Sequence, residues 1–108
     1  MALRPVEFQI LLTLASEERH GYGIMQEAAR LSDGAVDLEP GTLYRALHRL
    51  LKAGWIAESG RRPAADADDE RRRYYRLTAL GRRIAAGEAE RLARLVAVAR
   101  SNRLLTRA

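Results

Sequence analysis

The chain has 108 residues and a mass of 12.1 kDa, the size of one domain. Hydrophobic residues at 47% suffice for a core and aromatics at 6% make it aliphatic, while the lack of any cysteine excludes disulfides, thiolate metal sites and thiol nucleophiles. The formal charge is +5 and the excess is local: residues 1–60 carry six cations and eight anions, residues 61–108 thirteen cations and six anions. A basic half on a small domain suggests a polyanionic partner, although an arginine-rich proteome gives the same bias. The first residues lack the apolar run of a signal peptide, and nothing approaches the roughly 18 apolar residues of a membrane span, so a cytoplasmic protein without membrane contact is expected.

Pro5 suits a helix start, having no N–H to lose there. The following VEFQILLTLA is apolar nearly all round the cylinder, with Phe8, Leu11, Leu12 and Ala15 on one stripe and Val6, Ile10 and Leu14 on another. Such a helix is buried on more than one side, which in so small a domain points to a partner subunit. Ser16–Gly21 reads as a polar connector, and Tyr22–Leu31 as a helix through Ile24, Met25, Ala28 and Leu31, stopped by Ser32-Asp33-Gly34. Ala35–Leu38 alternates weakly and suggests a stub of strand. From Thr42 to Ala53, Leu43, Ala46, Leu47 and Leu50 follow helical spacing, and Thr42, Arg45, His48, Arg49 and Lys52 fall opposite. Gly54 ends that helix.

Trp55–Ser59 and Arg72–Leu77 read as two strands joined by a long, charged tip, RRPAADADDER. Period 2 sends Leu77 and Tyr75 inward and Arg72, Tyr74 and Arg76 outward. Arg73 shares the inward parity, so its stem is expected over the hydrophobic edge. Thr78 can cap a last helix from Ala79 to about Arg103, which would run nearly 40 Å at about 1.5 Å per residue. Its stripe of Ile84, Leu92, Leu95, Val96 and Ala99 needs burial against something, while Gly81 and Gly87 weaken its start and invite a kink. With Phe8 and Leu12 of the first helix, that stripe forms the expected homodimer contact.

Three helices and then a hairpin is the order of a winged helix-turn-helix: a mainly α fold with a small β-hairpin. Residues 1–77 form the winged unit and 78–108 a long dimerisation helix, in one compact body. A third helix with a dry face and a cationic face fits a major groove about 12 Å wide, where arginine binds guanine bidentately or clamps phosphate. Arg45 and Arg49 are the base-reading candidates. Arg61, Arg62, Arg71 and Arg72 near the hairpin ends suit flanking phosphates, whereas Asp66, Asp68, Asp69 and Glu70 at the tip repel them.

HGYGIMQE at 20–27, EPGTLYRALHRLLKAGWI at 39–56 and RRRYYRLTALGRR at 71–83 resemble the PadR-type transcriptional regulators in order and spacing. The likeness covers roughly residues 5–103, and the length resembles the short subfamily with a single C-terminal dimerising helix. The resemblance implies a homodimeric bacterial repressor that binds an inverted repeat of double-stranded operator DNA and is released by a small-molecule inducer. It places Tyr22 near the DNA backbone and Thr42 and Tyr44 at the opening of the recognition helix. Tyr75, Leu77, Thr78 and Gly81 match its strand-to-helix signature. Where many members carry proline after the Gly-Thr-Leu-Tyr motif, this chain has Arg45.

Other chemistry finds little support. His20 and His48 are too few for a three-histidine metal site, and His20 reads as a turn residue. The acidic run at 66–70 lacks the central glycine and terminal glutamate of a calcium loop. Gly21-Tyr22-Gly23 follows no strand, so it is no dinucleotide fingerprint. Ser16, Ser32 and Ser59 have no triad partners, and Trp55 reads as core. Neither an enzyme nor a cofactor is expected. Two classes remain: a sequence-specific DNA-binding regulator, or a winged-helix module that binds a protein or anionic lipid. The second needs no cationic third helix.

Overall fold

The computed structural model describes residues 3–60 and 73–105. The elements in order are α1 (Pro5–Ser16), β1 (Arg19–His20), α2 (Gly21–Leu31), α3 (Pro40–Ala53), β2 (Ile56–Glu58), β3 (Tyr74–Leu77) and α4 (Ala79–Ser101). This is the mainly helical winged helix-turn-helix expected, with an antiparallel sheet ordered β1-β3-β2. The hairpin tip with Arg61, Arg62, Arg71 and Arg72 lies outside the described residues. No helix among the described residues is long and apolar enough to cross a membrane.

Each helix forms where its apolar spacing lets it share one core. Ile10 and Leu11 of α1, Ile24 of α2, Leu43 and Leu47 of α3 and Ile56 of β2 are all essentially inaccessible to solvent, and Trp55 and Tyr75 close the cluster. Burying each such aliphatic side chain stabilises the fold by about 1.5–3 kcal/mol before conformational entropy is counted. Pro40 opens α3 at a position that needs no N–H, and Gly54, in the left-handed region, ends it.

Two local readings of the sequence are corrected. The polar connector before Gly21 contains β1, whose Arg19 and His20 pair with Tyr75 and Tyr74. Ala35–Leu38 is not a strand. Its alternation reflects Val36 and Leu38 turning inward from an extended loop, held by the Val36 N–H donating to Ser32 Oγ.

The hairpin register pairs Ile56 with Leu77, Ala57 with Arg76 and Glu58 with Tyr75. Arg73 does not cover the hydrophobic edge: it is exposed and pairs with Glu58 at 3.8 Å.

The turn into α4 is tightly joined. Thr78 Oγ1 accepts from the Gly81 N–H at 3.0 Å and donates to the Gly54 carbonyl at 2.7 Å. The Thr78 N–H donates to the Trp55 carbonyl. A Cβ on Gly81 would lie 1.9 Å from that carbonyl oxygen, so glycine is there for the close approach rather than for a kink. α4 runs continuously to Ser101, and Arg103 in the left-handed region lets the Leu104 N–H reach the Ala99 carbonyl. Within α4 only Gly81 and Ala85 are buried, both in its first two turns.

Candidate nucleic-acid interface

The core holds α3 by Leu43, Ala46, Leu47 and Leu50, which leaves Arg45, His48, Arg49 and Lys52 exposed on one face and Thr42 at its edge. Arg45 folds back along the first turn, its Nη2 donating to Thr42 Oγ1 at 3.5 Å and its Nη1 lying over Gly41. In that turn Pro40 has no N–H and the Leu43 N–H donates to the Glu39 carbonyl, which leaves the Gly41 and Thr42 N–H groups without an acceptor inside the helix.

Arg49 is held differently. Its Nε donates to Glu7 Oε2 at 2.9 Å, across 42 residues of sequence, although its side chain remains 43% exposed. Glu7 itself is buried, and its Oε1 accepts from the Arg4 N–H at 3.0 Å, closing the start of α1. Burial pushes the Glu7 carboxyl up, but the Arg4 N–H and the Arg49 guanidinium more than offset this and hold it below the usual carboxylate range.

Tyr44 turns away from this face. A Cβ on Gly21 would lie 2.7 Å from the Tyr44 hydroxyl, so the half-buried ring locks α3 onto the start of α2 and Gly21 must stay small. Tyr22, one residue on, is 56% exposed beside the α3 entrance motif's packing site. His20 is more than a turn residue: its Nδ1 accepts from the Gly23 N–H at 2.9 Å and caps α2. Its ring meets Tyr74 edge-on at 5.2 Å and Tyr22 at 6.5 Å, so an aromatic row runs from α2 to the base of the hairpin. The histidine three residues before Gly23 was the signal for this cap.

Two further arginines hold the end of α1. Arg19 Nε donates to the Thr13 carbonyl at 2.7 Å, and Arg82 Nη2 to the Ala15 carbonyl at 3.1 Å. Both satisfy the carbonyl end of α1 and complement its dipole.

On the expected dimer surface, Leu12, Leu95 and Val96 are exposed, while Phe8, Ile84, Leu92 and Ala99 are half-buried, Phe8 and Ile84 against the core. Leu80, Val98, Leu104 and Leu105 extend the exposed apolar set beyond the sequence reading. The spacing of Leu80 four residues before Ile84 marked the first of these.

A cationic helix packed by its dry side on two others, with a hairpin following, defines a winged helix-turn-helix fold. The chain belongs to the transcriptional regulator PadR-like family, whose model matches residues 10–86. That family is one of regulators rather than catalysts. It is 39% identical over 77 residues to the transcriptional regulator Rv3488 of Mycobacterium tuberculosis, covering 71% of this chain and 65% of that one. A second relative, an uncharacterised protein of Lysinibacillus sphaericus, is 32% identical over 73 residues, covering 68% and 64%. The match thus spans just under two thirds of the length of either relative. Among solved structures, a transcriptional regulator from Clostridium thermocellum superposes with a TM-score of 0.71 at 27% identity, covering 89% of this chain and 87% of that one. Bacillus subtilis PadR in complex with operator DNA superposes at 0.67 and 21% identity, covering 80% and 47%, a likeness of fold.

Proposed function

We propose that this chain is a cytoplasmic, homodimeric, sequence-specific DNA-binding repressor. Two copies of α3 enter successive major grooves of an inverted repeat of double-stranded DNA, and a small-molecule inducer releases them. The observation that carries this reading is the division of α3 into a fully buried side and an arginine-bearing side. In the proposed roles, Arg49 reads a base edge. Arg45 with Thr42, and Tyr22 at the start of α2, take phosphates; Arg61, Arg62, Arg71 and Arg72 meet the flanking backbone. Tyr44 contributes by fixing the angle between α2 and α3.

The dimer is supported by α4. From Leu92 onward no residue of α4 is buried, and Leu95, Val96 and Val98 are 53%, 43% and 57% exposed. A helical segment of about 12–15 residues is marginal alone in water, so this projecting half needs a second copy to cover it. Residues 1–77 would then face DNA while 78–108 pair the subunits.

Anisotropy titrations of the full chain tests this, comparing DNA upstream of its own gene with a random duplex of equal composition at several salt concentrations. The expected result is preference for the upstream DNA, with log affinity falling linearly with log salt. Equal affinity for both duplexes at every salt concentration would refute sequence-specific binding.

A further inference from the structure

The pair between α1 and α3 carries an inference beyond the general reading of α3. We propose that Glu7, which lies in α1 and not in the recognition helix, is a positioning residue for base readout: it holds Arg49 by Nε so that the terminal amino edge of the guanidinium is presented to the groove. This rests on the proposed role of α3.

Both oxygens of Glu7 are engaged, Oε1 by the Arg4 N–H at 3.0 Å and Oε2 by Arg49 Nε at 2.9 Å. The carboxylate is buried and anchored to the first turn of α1, so it cannot follow Arg49 outward. Arg49 is therefore pinned at its inner nitrogen while 43% of its side chain stays exposed. Among the described residues neither Nη group donates to the protein. Those two amino groups are the fork that matches the O6 and N7 acceptors of guanine. A fixed fork loses less conformational freedom on binding than a free one. The carboxylate also offsets the cation, which disfavours loose capture of any phosphate and leaves the directional base contact as the pair's main gain. Glu7 thus trades general affinity for selectivity.

The test uses the full-length protein and a pool of duplexes with a randomised core, sequenced after binding, with affinity for random DNA measured separately. Arg49→Ala is expected to erase preference for guanine at one position of each half-site, by about 5- to 150-fold. Glu7→Ala is expected to weaken preference at that same position by roughly 2- to 13-fold, the range for immobilising one long side chain. The double variant is expected to match Arg49→Ala alone.

Random DNA is the decisive arm. Freed from its carboxylate, Arg49 binds phosphate, so Glu7→Ala is expected to tighten random binding and steepen the log–log salt slope by up to about 0.9. A purely structural role would weaken both kinds of binding together. Glu7→Gln keeps one acceptor and the side-chain volume; it provides a folded variant with the same signs if the alanine variant does not fold. An unchanged base profile for the Glu7 variants, or parallel loss on specific and random DNA, overturns the role of Glu7. An unchanged profile for Arg49→Ala instead overturns base reading by α3, which separates the two failures.

Discussion

Gly81→Ala is the sharpest perturbation the fold offers, because two effects of opposite sign meet there. In an exposed helix interior the exchange stabilises by about 1 kcal/mol. Here the new methyl would lie 1.9 Å from the Trp55 carbonyl oxygen, 2.8 Å from its carbon and 2.9 Å from Leu77 Cδ1. Two of these atoms are backbone, held by the Thr78 N–H and by the α3 terminus, so α4 itself must retreat by more than about 1 Å. That retreat stretches the Thr78 N–H bond to Trp55 and the Thr78 hydroxyl bond to Gly54, worth about 1 kcal/mol each. With about 1–3 kcal/mol of overpacking strain added and the propensity gain subtracted, the net cost is about 2–4 kcal/mol. At roughly 4 °C per kcal/mol for a domain of this size, Tm falls by about 8–16 °C. Calorimetry at fixed protein concentration reads it, since the Tm of the proposed dimer depends on concentration. Gly87→Ala is the control: nothing lies within 4 Å of its added methyl, so Tm should rise by a few degrees. A Tm for Gly81→Ala equal to or above the parent's would mean that the joint does not pack as described.

Leu95→Glu places a charge on the exposed stripe of α4 and should convert the proposed dimer to monomer at micromolar concentration in sedimentation; a wild type that is itself a folded monomer would contradict that assembly. Arg45→Ala removes the proposed phosphate ligand, which lies back along its own turn against Thr42, and should weaken specific and random DNA binding alike, lowering the log–log salt slope by about 0.9 while leaving the ranking of sites intact. His20→Ala deletes the α2 cap and should cost about 1 kcal/mol in urea unfolding, of which His20→Asn restores most. The Glu7 carboxyl titrates lower in the folded chain than in the unfolded one, so its contribution is complete above the unfolded value near 4.5 and fades as pH falls through the folded value. Unfolding free energies of wild type and Glu7→Gln should therefore differ by a constant amount near neutral pH and converge only in acid; convergence already at neutral pH would contradict the pairing.

Much of this architecture can be read locally because helix spacing is a local property. The buried line of α3, Leu43, Ala46, Leu47 and Leu50, sits as the periodicity requires. Tyr75 faces inward as strand parity requires. β1 escapes such reading because two residues have no period, and Arg19-His20 looks polar until Tyr74 and Tyr75 come beside it. Ala35–Leu38 misleads for the converse reason: an extended loop that drops two side chains into a core alternates like a strand. At the candidate site the cationic face of α3 is legible, yet its two arginines look alike in sequence. Arg45 bonds within its own turn, whereas Arg49 finds a partner 42 residues away, and no local pattern reports such a pair. Tyr44 sits at the boundary between the two faces, so the packing against Gly21 decides its direction.

The arginines of the chain therefore divide between two uses. Arg19 and Arg82 reach in from either side of the chain to close the carbonyl end of α1, and Arg49 is bound near its other end through Glu7. The same helix offers Leu12 toward the expected partner subunit. α1 is consequently the part against which α3, β1 and α4 are all fixed, each by a charged hydrogen bond from a different element. Cations used in this way release few counterions on DNA. The salt slope should accordingly fall well short of about 0.9 per arginine of the chain, and should follow the exposed side of α3 and the hairpin instead.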